Sequence, residues 1–158
     1  MSEISNENLA ELNKRYRTTA IIVLGEIFVV LFLILVSMLG APKIQTNLAE
    51  QDFTTLWVAV LFIAVGSFIV RRIFFNWERL KNIALLKGIS GLFGTLQRNS
   101  ILLGAFGVIV AVLGFAISTL SGNSSDMLRA GAIALVVFLI NFPRKKVWKT
   151  IVSNLGKV

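Results

Sequence analysis

The sequence predicts an all-α membrane protein of four transmembrane helices, paired as two similar helical hairpins, with cytoplasmic amphipathic helices after the second and fourth spans. Three observations carry this reading. The 158 residues are 56% hydrophobic and only 15% charged, whereas charged residues make up about a quarter of a soluble domain; the mean hydropathy is +0.80. Four apolar segments approach the roughly 20 residues that a helix needs to cross a hydrocarbon core. The basic residues collect on one side of those segments. The spans take up most of the chain, so it reads as a single membrane domain with no separate soluble one.

Taken in order, the N-terminal segment 1–17 places Leu9, Leu12 and Tyr16 three and four apart among Glu7, Glu11 and Lys14. This fits either a short amphipathic helix leading into the first span or an acidic tail without structure. The first span, 18–40, is interrupted only by Glu26 and is too long for a cleavable signal. Ala41 and Pro42 stop it, and a polar loop with Lys43, Gln45, Asn47, Glu50, Gln51 and Asp52 follows. The second span, 53–72, has Trp57 near one end, where an indole favours the headgroup level, and Arg71 and Arg72 at the other. In the cytoplasmic connector 73–99, Ile73, Trp77, Leu80 and Ala84 recur at helical spacing, with Arg79, Lys81 and Lys87 elsewhere around the helix. Gly88, Ile89, Ser90, Gly91, Leu92, Phe93 and Gly94 then form a flexible apolar turn that matches no phosphate-binding glycine pattern.

The third span, 100–120, is uncharged and sets Gly104, Gly107, Ala111 and Gly114 at intervals of three and four. Such a small-residue face lets another helix approach closely, whether from this chain or from a neighbour. The fourth, 127–142, is short, so Arg129 is expected to snorkel outward; Pro143 and the run Arg144, Lys145 and Lys146 mark the opposite interface. In the C-terminal segment 143–158, Trp148, Ile151, Val152 and Leu155 again repeat at helical spacing. Trp57, Trp77 and Trp148, with Arg71, Arg72, Arg144, Lys145 and Lys146, are the expected interface anchors.

Every Lys and Arg except Lys43 and Arg129 falls in the two terminal segments, the middle connector or, as Arg71 and Arg72, the end of the second span that leads into it. The positive-inside rule then puts both termini in the cytoplasm and the chain in an inner (plasma) membrane as a multi-pass protein. The formal net charge of +8 is thereby accounted for by topology and by contact with anionic headgroups, at about 1 kcal/mol per basic residue. No nucleic-acid partner is expected. The halves also resemble each other: Ile22, Val23, Leu24 and Gly25 match Ile101, Leu102, Leu103 and Gly104, and Arg71, Arg72 and Trp77 match Arg144, Lys145 and Trp148. This fits a parallel duplication about an axis along the membrane normal, or simply two aliphatic hairpins with basic flanks.

The chain has no His and no Cys, which removes the commonest general base, the usual transition-metal ligands, thiolate nucleophiles and disulfides. No carboxylate pair or nucleophile–base set stands out. The expectation is a protein that is not an enzyme and carries no cofactor or metal: an accessory or assembly subunit of a larger membrane complex, with homo- or hetero-oligomeric membrane partners. A third reading is a lipid-interacting protein that uses Trp77 and Trp148 with their basic neighbours.

Glu26 invites the main alternative. It lies about 13 Å along the helix from Arg17, inside the hydrocarbon, where an acidic residue costs about 2.5–3.5 kcal/mol. It must carry a proton or face a partner, and Ser67, Asn141 and Arg71 are the candidates within the chain. The run Leu24, Gly25, Glu26, Ile27, Phe28, Val29, Val30, Leu31, Phe32 and Leu33 resembles the carboxylate-bearing helix of rotary-ATPase proteolipid subunits, where a small residue precedes the acid and aliphatics follow. That resemblance implies that Glu26 would bind a translocated proton or sodium ion, in an oligomeric ion-translocating or small-transporter protomer, with Asn141 and Ser67 as further ion-site candidates. The chain departs from that pattern at Ala105, the repeat equivalent of Glu26, and between 53 and 70, where the glycine-repeat inner helix is missing. It also carries its acid on the first helix of a hairpin and not the second.

Overall fold

The structure, a computed structural model, describes residues 6–40 and 53–155, all of them helix or short links between helices. The polar loop from Ala41 to Asp52 and the basic Lys157 lie outside the described residues. Five helices follow in order: α1 (Asn6–Gly40), α2 (Thr54–Phe74), α3 (Trp77–Ser121), α4 (Ser124–Asn141) and α5 (Lys145–Leu155). Four apolar helical stretches, in α1, α2, α3 and the segment that begins with α4, are long enough to cross a membrane. Local chemistry sets the boundaries. Asn76 and Asn123 cap α3 and α4, each side-chain oxygen accepting an N–H bond at 3.0 Å from Glu78 and Ser125. Acidic Glu78 and Asp126 occupy the first turns, where the helix dipole favours them. Gly122 closes α3 in the left-handed region at φ 66°.

From Asn6 the N-terminal segment is helical, as one of its two readings expects, and runs unbroken into the first span as α1, burying Leu12. One boundary differs from the sequence expectation. The apolar turn of 88–94 shrinks to one residue: Gly88, at φ 66° and ψ −175°, bends α3, and helix resumes at once. Residues 89–99 therefore extend the third apolar segment, and they are helical because Leu92, Phe93, Leu96 and Asn99 each find a buried position on it.

α3 is the central helix, packing against α1, α2, α4 and α5. The α1 and α2 helices, expected to pair as a hairpin, make no close backbone approach among the described residues, and each packs on α3 and α4. A tight α3–α4 hairpin thus sits between two outer helices, which leave most of their surface outward. Small residues explain why α3 occupies the centre. A Cβ on Gly107 would run into the Phe138 ring, one on Gly114 into the Ala130 methyl, and one on Gly131 of α4 into the end of Ile34 on α1. The α1 seam is heptad-like, with Leu12, Thr19, Val23, Val30 and Ser37 buried at intervals of seven and four. It lies parallel to α3 and ends in a 2.8 Å hydrogen bond between the Ser37 and Ser118 hydroxyls.

There are two cores. The larger joins Val23, Val30, Val60, Val110, Ile117, Met127 and Phe138 across the four apolar stretches. The second lies at the basic end, where Leu12 of α1, Leu80, Ala84, Leu92, Phe93 and Leu96 of α3, and Trp148, Ile151, Val152 and Leu155 of α5 pack together. Of the two amphipathic faces read as membrane-surface helices, that of α5 is turned into protein, whereas the other is divided, with Leu80 and Ala84 buried and Ile73 and Trp77 exposed. Trp148, expected as an interface anchor, is 1% exposed; its indole meets the Tyr16 ring edge-on with centroids 5.8 Å apart, and the Tyr16 hydroxyl donates to the Pro143 carbonyl at 3.3 Å. Trp77 keeps an exposed face. Trp57 packs against the larger core, and Arg129 points outward beside Asp126 at 3.8 Å.

Candidate functional site

The α1 seam decides where Glu26 points. Glu26 lies three residues after Val23 and four before Val30, both buried, so it shares the face of α1 that meets α3. Its carboxylate rests over Gly104, and a Cβ there would collide with Oε2 and the carboxyl carbon. The absent side chain is what lets the acid lie between the two helices. The residue is half-buried, and Oε2 has no accessible surface and no hydrogen-bond partner among the described residues. Neighbouring hydroxyls are spent on their own helices: Thr19 donates to the Arg15 carbonyl at 2.8 Å and Ser100 to the Leu96 carbonyl at 2.9 Å.

The candidate partners of Glu26 bond elsewhere. Ser67 donates to the Ala64 carbonyl at 2.7 Å and accepts from Asn141 Nδ2 at 3.4 Å. That pair ties α2 to α4, while α1, which carries Glu26, packs on α4 and makes no close backbone approach to α2. Of the three ion-site candidates, Ser67 and Asn141 are thus bonded to each other, and Glu26 Oε2 is bonded to neither.

Of the small-residue face, Gly104 serves α1, Gly107 and Gly114 serve α4, and Ala111 is buried in the larger core. All of these partners belong to the same chain. Three polar residues escaped the sequence reading. Asn99, fully buried, donates from Nδ2 to the Phe74 carbonyl at 3.1 Å and so anchors the end of α2 on α3. Ser37 and Ser118 form the buried pair described above, beside a hollow of about 210 Å³ lined by Met38, Gly40, Thr119, Gly122 and Ser124. The signal available was a polar residue at a seam position of an apolar helix, which is expensive there unless it has a partner.

At the basic end, the charge of Arg144 at the α4–α5 corner bears on Arg71 of α2. Ion pairing among the described residues uses other groups, Glu11 with Arg15 at 2.9 Å and Asp126 with Arg129. Arg72, Lys145 and Lys146 are exposed around the arginine pair, and no group of three or more His, Cys, Asp or Glu able to hold a metal occurs among the described residues. No protein-family model, curated protein or solved structure matches this chain.

Proposed function

We propose that the chain is a non-enzymatic integral membrane protein of an inner (plasma) membrane, an accessory or assembly subunit of a larger complex, with both termini cytoplasmic. The observation that carries the reading is the outward surface of α1. This 35-residue helix buries Leu12, Thr19, Val23, Val30 and Ser37, while Phe28, Phe32, Leu35 and Leu39 among others stand exposed. An apolar flank of that extent suits lipid and neighbouring helices. The interior polar groups support the same reading, because Ser37–Ser118, Asn141–Ser67 and Asn99–Phe74 act as ties between helices. The multi-pass orientation follows from the one-sided basic charge.

A second reading, an oligomeric ion-translocating protomer, is favoured by the unpartnered Oε2 of Glu26 beside Gly104, since an intramembrane acid is a functional candidate by default. One experiment separates the two. Complexes released from native membranes in mild detergent are weighed by native mass spectrometry. The accessory reading expects a mass containing other polypeptides; a ring or other assembly of this chain alone would overturn it in favour of the second.

A further inference from the structure

We propose that the end of α2 and the α4–α5 corner together bind the phosphate of an anionic lipid headgroup through Arg71 and Arg144. The geometry begins one turn deeper, at the 3.4 Å contact between Asn141 Nδ2 and Ser67 Oγ. Arg71 follows Ser67 by one helical turn, and Arg144 lies three residues beyond Asn141 in the link to α5, so both guanidinium-bearing residues follow closely on that contact. The positive charge of Arg144 bears on Arg71, and neither has a carboxylate within ion-pair distance among the described residues. Arg71 Nη1 is shielded from solvent and lacks a hydrogen-bond partner, a costly state for a charged donor.

The neighbourhood makes the imbalance worse. Lys145 and Lys146 stand in the first turn of α5, which has no acidic residue, although the positive end of a helix disfavours cations. A bound phosphate resolves all of these at once, since guanidinium groups grip it with paired, charge-assisted hydrogen bonds. A lipid is favoured over free phosphate because Arg71 lies at the end of an apolar helix, and exposed Ile73 of α2 and Ile140 of α4 offer apolar surface for acyl chains close to the arginines in sequence. The inference rests on membrane insertion and not on the accessory role.

The test uses the full chain in nanodiscs of phosphatidylcholine with graded phosphatidylglycerol, counting retained lipids by native mass spectrometry. The expected result is one tightly held anionic lipid per chain, with R71Q/R144Q weakening its binding roughly thirty-fold, as about 1 kcal/mol for each of two cations implies. The charge-matched K87Q/R98Q control, at exposed positions, should leave it in place. If R71Q does not fold, R144Q at its exposed position carries the test, with a loss of about fivefold. Equal lipid retention in R71Q/R144Q and the control would overturn the proposal, as would displacement of the lipid by millimolar inorganic phosphate. A wild-type chain that fails to insert into either bilayer would instead overturn the membrane reading beneath it.

Discussion

Glu26 shows how one side chain depends on the absence of another. The acid occupies the α1 seam only because Gly104 leaves the α3 backbone open beneath it. Glu26→Gln keeps the shape and removes the charge, so the account expects an unchanged fold and unchanged co-purifying partners, with stability within about 1 kcal/mol of wild type. Intact assembly with abolished ion transport in proteoliposomes would transfer Glu26 to the ion-path reading. Gly114 gives a sharper structural forecast. An added methyl meets the Ala130 Cβ, which has no flexible end to move aside, so Gly114→Ala should lower stability in detergent by about 1–3 kcal/mol. Gly25 has open space around it, and Gly25→Ala should be neutral or stabilising by up to about 1 kcal/mol; equal effects at the two sites would contradict the packing. Glu26 was legible in the sequence as a lone acid in an apolar run, and Gly104 as one of a small-residue set. Their pairing was not, because it depends on the rotation and register of α1 against α3, which hydropathy does not encode.

At the scale of elements, apolar length fixed the four long stretches well and their packing partners poorly. Helical spacing correctly gathered Trp148, Ile151, Val152 and Leu155 on one face of α5, yet spacing cannot say whether that face meets lipid or protein. The answer came from elements distant in sequence, because Leu12, Leu80 and Phe93 supply a matching apolar surface. Trp148→Ala should therefore behave as a core truncation costing about 3–5 kcal/mol, read from chemical or thermal unfolding in detergent. Trp77→Ala, at a residue 46% exposed, should cost well under half of that. The bend at Gly88 was half legible. Glycine signalled a break, but the two later glycines, Gly91 and Gly94, fit inside the helix, and only tertiary burial of Leu92 and Phe93 distinguishes a turn from its continuation. Adjacency in sequence does not bring the α1 and α2 backbones into close approach; Gly104 and Gly131 instead let α1 approach the α3–α4 pair, which Gly107 and Gly114 hold close.

For the whole molecule, the two cores divide the labour implied by the charge pattern. One lies among the four apolar stretches, and the other gathers the start of α1, the bent part of α3 and α5 at the end where Arg15, Arg71, Arg79, Arg144 and Lys149 cluster. The proposed orientation puts this basic core on the cytoplasmic side and the Gly122–Asp126 turn across the bilayer from it. The chain contains no cysteine, so single cysteines can be placed cleanly at the exposed positions Asn13, Lys149 and Ser125 and labelled in intact cells with a membrane-impermeant maleimide. The account predicts that S125C reacts from outside while N13C and K149C react only after lysis. Labelling of N13C and K149C from opposite sides, or of S125C from the same side as both, would contradict it.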